Sequence, residues 1–286
     1  MSQLRLMQVH AHPDDESSKG SATTAYYVAQ GVEVMVVTCT GGEAGDILNK
    51  ALDTPENWAN LPQLRQHEMA EAARILGIHQ RWLGYHDSGF PADENYMPPA
   101  DSFAAQDPEV AAGRLVKIIR EFRPHVLTAY TPDGGYPHPD HIQAHRVAVA
   151  AFRQAADKEL WPEHGEAWQI PKLYYDRTLN EFKWAAFDEA LIADGQEPRF
   201  AGRRTYAHEE PEYTITTKIP CAEYFGVRRQ ALLAHATQVS PDDKFWFSLP
   251  LEEEMKVWPW EDWHLEVSHV PTSIPEDDMF AGLREA

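Results

Sequence analysis

The chain has 286 residues, with 25 Lys and Arg against 45 Asp and Glu, so its formal net charge at pH 7 is −20. This excess of acids argues against nucleic acid and anionic membranes as partners, because both are bound through clusters of basic side chains. No segment approaches the roughly 20 apolar residues of a membrane span, and the charged residues at 12–16 leave no room for a signal peptide. Two cysteines, Cys39 and Cys221, make no disulfide framework. We therefore expect a cytoplasmic protein.

The first 175 residues alternate between patterns typical of strands and of helices. Segment 33–39 is rich in β-branched residues and almost continuously apolar, as strands of a buried parallel sheet are. Asp107-Pro108-Glu109 provides a cap, a proline and an acid in the order that favours a helix start. Strands that alternate with helices in this way predict an α/β fold, a mostly parallel sheet covered by helices on both faces. The predicted strands are 4–10, 33–39, 81–83 and 125–130, and the predicted helices are 16–30, 61–76 and 110–122.

The C-terminal part is predicted to be a smaller α+β extension of this core. Segments 172–175 and 213–219 have strand patterns, and segment 222–236 has a helix pattern. Residues 257–264 contain three of the nine tryptophans, more aromatic side chains than a solvated tail needs. We therefore divide the chain into a catalytic core, 1–175, and a segment, 176–286, that packs on the core and closes a substrate cleft.

Two motifs that contain His, Asp and Pro directly follow predicted strands. They are HAHPDDE at 10–16 and DGGYPHPDH at 133–141. Because an open parallel sheet binds its ligands outside the carboxyl ends of its strands, we expect both motifs in one crevice. Imidazole and carboxylate together suit a borderline divalent ion, and a catalytic ion keeps three protein ligands with one open position.

Spacing suggests which side chains hold the ion. His12 and Asp15 lie three residues apart on a turn that enters a helix, and His141 completes the set from across the sheet. Asp14 faces differently and is left to take a proton from a metal-activated water. Acids at a helix start are also explained by the helix dipole alone, but three clustered carboxylates repel one another unless a cation is present.

The residues His12-Pro-Asp14-Asp15-Glu16 and Gly134-Gly-Tyr136-x-His138-Pro-Asp140-His141 resemble the PIG-L/LmbE family of zinc-dependent N-deacetylases and amidases. The resemblance implies a Rossmann-like core with one Zn²⁺ per subunit on His12, Asp15 and His141, although Fe²⁺ suits the same ligands. It also implies that Asp14 is the general base, that Tyr136 polarises the carbonyl, and that His138 is the acid and oxyanion partner. Asp140 either orients His138 or simply caps a helix.

Within the family, the chain is most similar to the branch that acts on mycothiol S-conjugates. This resemblance implies cleavage of the glucosamine–cysteine amide, which yields an N-acetylcysteine S-conjugate and glucosaminyl-inositol. The family's sugar-binding positions correspond to Arg65, Asp87 and Asp46, the last of which is Glu in relatives. Lys19 is expected at the same rim. The Trp-rich segment 258–263 either accommodates the sulfur substituent or belongs to the core.

Three other functions compete with this interpretation. A deacetylase of N-acetylglucosaminyl-inositol would use the same site. A non-haem Fe(II) oxygenase would use His12-Pro-Asp14 with His141, although such enzymes usually have an all-β fold. A non-catalytic binding module is the third, but no G-x-G-x-x-G follows the first strand to bind a dinucleotide.

Overall fold

The computed structural model describes residues 3–91, 96–203 and 214–284, and its centre is a single twisted sheet. The strands are β1 (Arg5–His10), β2 (Glu33–Thr40), β3 (His79–Tyr85), β4 (Val126–Ala129), β5 (Lys172–Asp176), β6 (Thr217–Ile219) and β7 (Glu261–Ser268). Their order across the sheet is β3-β2-β1-β4-β5-β7-β6. Strands β1 to β5 are parallel, whereas β7 runs antiparallel to both β5 and β6. The predicted α/β fold is confirmed.

Helices cover both faces of the sheet, which explains why the central strands β1, β2 and β4 are buried along almost their whole length. Alternate residues of β1 enter two separate cores: Met7 packs among one set of helices and Leu6 among another. No helix in the described part of the chain combines the length and the apolar character that crossing a membrane requires. The helices are α1 (Asp15–Ser18), α2 (Ser21–Ala29), α3 (Pro55–Ala59), α4 (Leu61–Leu76), α5 (Pro108–Phe122), α6 (Pro139–Ala156), α7 (Glu181–Ala193), α8 (Phe225–Ala234) and α9 (Leu251–Val257).

Most predicted elements occur within a few residues of their expected bounds, but the helix predicted over 16–30 is divided into two helices, α1 and α2. The chain breaks between α1 and α2, where Gly20 adopts a φ of +77°. A Cβ atom at Gly20 would lie 2.5 Å from the indole ring of Trp263. The break therefore depends on a close approach of a distant strand, which local helix propensity does not reveal.

The C-terminal segment extends the sheet of the core, because β6 and β7 continue it beyond β5. The strand predicted over 213–219 is present as β6, and Tyr213 lies outside the described residues. Of the two alternatives for the Trp-rich segment 258–263, the structure supports the core for Trp263. Trp263 is 1% exposed within β7, and its indole N–H donates to Thr23 Oγ1 at 3.3 Å, so it belongs to the core.

Replacement of Gly20 tests how tightly the break between α1 and α2 is packed. We expect Gly20→Ala to lower the free energy of unfolding by about 3 kcal/mol, because the methyl group adds overpacking to left-handed strain. Gly31→Ala is the matched control: Gly31 has a φ of +80°, but a Cβ atom added there would meet no atom within 4 Å. Its cost should be about 1 kcal/mol. Urea unfolding of both variants makes the comparison, and equal losses would contradict a packing role for Gly20.

Candidate active site

The turn between β1 and α1 places three consecutive acids at the carboxyl edge of the sheet. Asp14 has a φ of 117°, which is uncommon for a residue with a side chain. Its backbone N–H donates to Glu16 Oε2 at 3.0 Å, and its carboxylate lies 3.1 Å from the Arg65 guanidinium. The other oxygen of Glu16 lies 2.7 Å from His235 Nε2, and both of these side chains are fully buried. A buried ion pair thus supports the strained turn.

His12, Asp15 and His141 converge on one point, as their spacing predicts. Asp15 Oδ2 lies 3.5 Å from His12 Nδ1 and 3.4 Å from His141 Nε2, and all three residues are buried. Zinc bonds of 2.0–2.1 Å in a tetrahedral arrangement place neighbouring ligand atoms about 3.3 Å apart. The donor set therefore fits a tetrahedral divalent ion. A second set, which consists of His12, Asp87 and His138, also has its donor atoms within 4.8 Å of one another.

Hydrogen bonds distinguish the two donor sets. His141 Nδ1 lies 3.0 Å from the carbonyl oxygen of Gly134, so it carries the proton and the lone pair of Nε2 faces Asp15. His12 Nε2 lies 3.3 Å from Asp140 Oδ2, which likewise leaves Nδ1 as the donor atom for a metal. His138 Nδ1 instead accepts the backbone N–H of Asp140 at 3.1 Å, so its Nε2 is an N–H. In the first set, His12 Nδ1 and His141 Nε2 both offer a lone pair to a metal ion. In the second set, Nε2 of neutral His138 carries a hydrogen and offers no lone pair.

Charge also favours a cation beside His12. Burial by itself would lower the pKa of His12, but hydrogen bonds to Asp140, Asp15 and Asp87 raise it well above its usual value. Burial likewise opposes ionisation of Asp15, yet His141 and the Lys19 ammonium hold its pKa well below the usual range. Asp15 is therefore ionised and attracts positive charge beside this imidazole, either as a proton or as a metal ion.

The expected role of Asp140 beside His138 is wrong. The Asp140 carboxylate is fully buried and accepts hydrogen bonds from the Ser88 backbone N–H at 2.8 Å, from Ser88 Oγ at 2.5 Å and from His12. It is His138 that caps α6, through its own ring nitrogen. Asp140 lies in the first turn of α6, and its side chain contacts residues that follow β1 and β3. Asp140 therefore orients His12, and Ser88 is a partner that our motif analysis missed although it follows Asp87 directly.

Asp14, Tyr136 and His138 surround the convergence point. Burial raises the pKa of Asp14 to about 6, although the Arg65 guanidinium opposes the shift. The Tyr136 hydroxyl lies 3.3 Å from His141 Nε2, and partial burial together with Asp15 raises its pKa, so it stays an O–H. Burial, followed by the nearby His12 and His141 rings, lowers the pKa of His138 to about 3. The neutral ring still presents an N–H, so hydrogen-bond donation by His138 does not require an imidazolium.

The four predicted substrate-binding residues occupy different environments. Lys19 is 5% exposed and its ammonium lies 2.5 Å from Asp15 Oδ1. Arg65 donates to the carbonyl oxygens of Pro13 and Gly42 as well as to Asp14. Asp87 accepts the backbone N–H groups of Ala44 and Gly89. Arg65 and Asp87 thus hold the loops of the site in place, whereas Asp46 is exposed on the loop after β2.

A cavity of about 600 Å³ opens beside the donor set. Part of its lining is polar and includes Asp14, Asp15, Lys19 and Tyr136. Much of the rest, here called the apolar lining, belongs to the C-terminal segment, and sequence reasoning missed it because no motif marks its residues. They are Leu179, Trp184, Leu232, Val239, Phe245 and Trp246.

Comparison with known proteins identifies the family. Residues 7–152 match the family model described as PIG-L: GlcNAc-PI de-N-acetylase. A mycothiol S-conjugate amidase of Streptomyces coelicolor is 50% identical over 99% of this chain and 98% of its own length. A 1D-myo-inositol 2-acetamido-2-deoxy-alpha-D-glucopyranoside deacetylase of Streptomyces avermitilis is 42% identical over 98% of this chain and 97% of its own length. The chain therefore belongs to the PIG-L family, and both named relatives hydrolyse amide bonds.

The same fold occurs in solved structures of low sequence identity. A 4-carboxy-2-hydroxymuconate hydratase of Pseudomonas putida KT2440 superposes with a TM-score of 0.64 at 16% identity, over 95% of this chain and 99% of its own. This likeness shows the fold alone. The reaction must be argued from the donor set, the cavity and the sequence relatives.

Proposed function

We propose that the protein is a zinc-dependent amidase that hydrolyses the glucosamine–cysteine amide bond of mycothiol S-conjugates. The observation that carries this proposal is the juxtaposition of a His-Asp-His donor set with a large, partly apolar cavity. An acetyl group and a sugar polyol would make no apolar contacts with the apolar lining of this cavity. A cysteine that carries a substituent on its sulfur would use it, and the name of the Streptomyces coelicolor relative supports this choice.

We assign the metal to His12, Asp15 and His141, with Asp140 behind His12 and the Gly134 carbonyl oxygen behind His141. When bound, such an ion polarises a carbonyl and lowers the pKa of water from about 15.7 toward 7. Fe²⁺ suits the same nitrogen and oxygen donors, so the metal is decided by analysis of the purified protein.

The side chains around the metal divide the proton transfers and the charge. Asp14 accepts the proton of the attacking water and delivers it to the leaving nitrogen, because a raised pKa lets one carboxyl act in both directions near neutral pH. The Tyr136 O–H and the His138 Nε2–H donate to the amide oxygen as its negative charge develops. A donor of this kind contributes about 3 kcal/mol to transition-state stabilisation.

The substrate-binding assignments follow from position. We propose that Lys19 and Asp46 contact the substrate, since Lys19 lines the cavity and the exposed Asp46 adjoins it through its carbonyl oxygen, which accepts from the cavity residue Gln238. Arg65 and Asp87 act by fixing the loops that carry Asp14 and His12. We also propose that segment 176–286 closes the cleft, because it supplies much of the apolar lining of the cavity.

Metal analysis of variants tests the ligand set. The wild-type protein should hold about one equivalent of metal, and His12→Ala and His141→Ala should lose most of it because each removes one of three ligands. His138→Ala should keep the metal, since its Nε2 is an N–H. Elemental analysis of the purified variants measures this. Retention by His141→Ala together with loss by His138→Ala would instead support the set that contains Asp87.

Replacement of Asp14 tests the general base. Asparagine is the suitable substitute because it tolerates a positive φ and can still accept from Arg65. Asp14→Asn should keep the metal and the fold but lower kcat by about 10²–10⁴. Asp53→Asn, on an exposed loop, is the matched control. Turnover near the wild-type rate in Asp14→Asn would remove the assignment.

Substrate comparison tests the proposed reaction against its nearest rival. The deacetylase alternative is supported by the 42% identical relative and requires the same site. We expect kcat/KM for an S-alkylated mycothiol conjugate to exceed that for N-acetylglucosaminyl-inositol by at least about tenfold. The reason is that only the conjugate carries an apolar group that can contact the apolar lining of the cavity. Mass spectrometry of the products makes the measurement. Equal or faster release of acetate would favour the deacetylase. The Fe(II) oxygenase alternative loses support because the site lies on a parallel α/β sheet.

A further inference from the structure

We propose that four side chains of the cavity lining form the subsite for the sulfur substituent. They are Leu179, Trp184, Phe245 and Trp246, here called the aromatic wall because three of them are aromatic. The wall would make the enzyme prefer conjugates whose sulfur carries an aromatic or other bulky apolar group. This inference rests on the proposed function, and it adds residues that determine specificity and that no motif marks.

The aromatic wall is a rigid surface. Trp184 on α7 is 8% exposed and lies parallel to the Phe200 ring, with 6.4 Å between centroids. Phe245 packs between Phe200 and Trp246, at centroid distances of 5.9 Å and 4.6 Å. Trp184, Phe200 and Phe245 belong to a separate apolar cluster of the C-terminal segment. A surface held in this way needs little ordering when a ligand binds, so its apolar area can contribute directly to affinity.

Two exposed apolar side chains lie on other parts of the same cavity. Leu48 is 62% exposed and Phe90 is 60% exposed, and both line the cavity with the aromatic wall. Large apolar groups left open to solvent around a concave space indicate a ligand surface. The Phe90 ring also lies 5.4 Å from the His138 ring, so apolar surface reaches the groups assigned to the reaction.

Chemistry decides which part of the substrate the aromatic wall receives. The hydroxyl groups of glucosamine and inositol need hydrogen-bond partners, and burying them against indole and phenyl rings would leave them unsatisfied. Other residues of the cavity lining, Asp14, Lys19, Tyr136 and Gln238, supply the polar groups that such hydroxyls need. In the conjugate, only the cysteine Cα and Cβ separate the scissile carbonyl from the sulfur. The substituent on that sulfur is therefore the apolar group closest to the bond that is cleaved.

Two conjugates that differ only on sulfur test the proposal. We would measure kcat/KM for the S-benzyl and S-methyl conjugates of mycothiol with the wild type and with Trp246→Ala. The ring of Trp246 is half-buried, so the variant should fold. We expect about a tenfold loss for the benzyl conjugate and less than about threefold for the methyl conjugate. Trp82→Ala is the control, because Trp82 is 37% exposed on the edge strand β3 and lines a different groove.

A binding measurement separates this inference from the proposed function. Calorimetric titration with S-benzyl- and S-methyl-N-acetylcysteine reports on the subsite without turnover, and the benzyl compound should bind more tightly to the wild type but not to Trp246→Ala. Equal losses for both conjugates in Trp246→Ala, or equal affinity of the wild type for both compounds, would overturn the inference. If the wild type binds the benzyl compound preferentially but hydrolyses neither conjugate, the proposed function fails while the subsite stands.

Discussion

Three consecutive carboxylates, each paired with a cation from a different part of the chain, organise this site. Asp14 pairs with Arg65 of α4, Asp15 with Lys19 beyond α1, and Glu16 with His235 at the end of α8. Without these partners, three adjacent acids would repel one another, and the two that are buried, Asp15 and Glu16, would resist burial. The pairing also directs each side chain differently, which is how one short turn can supply a proton carrier, a metal ligand and a structural anchor.

The C-terminal segment is part of this arrangement as well as a wall of the cavity. Glu261 of β7 accepts the backbone N–H groups of Ala22 and Thr23, so it caps α2 where Gly20 provides no side chain. Trp263 of the same strand packs against Gly20, and His235 holds Glu16. The turn that carries the three acids is therefore tied to the C-terminal segment through buried contacts.

Local patterns predicted most of the fold, because the strands and helices here follow hydrophobic periodicity and cap chemistry. The α4 helix occupies the predicted range, and the acid and proline before α5 start it as expected. Predictions that depended on distant partners were less successful. The break at Gly20 requires Trp263, and Asp140 contacts His12 and Ser88 instead of its near neighbour His138. The convergence of His12, Asp15 and His141 was predictable because the carboxyl ends of parallel strands share one edge.

The position of the cavity suggests how specificity and reactivity are separated in this protein. In the proposed reaction, Asp14, Tyr136 and His138 act on an amide, which any acylated amino sugar would present. The residues proposed to distinguish one acyl chain from another are on other elements, among them α7 and the loop between α8 and α9. Because apolar contacts there are made outside the hydrogen-bonded turn, the wall can change without disturbing the paired acids. Substitutions in the aromatic wall would then change the preferred sulfur substituent while the arrangement of His12, Asp15 and His141 stays the same.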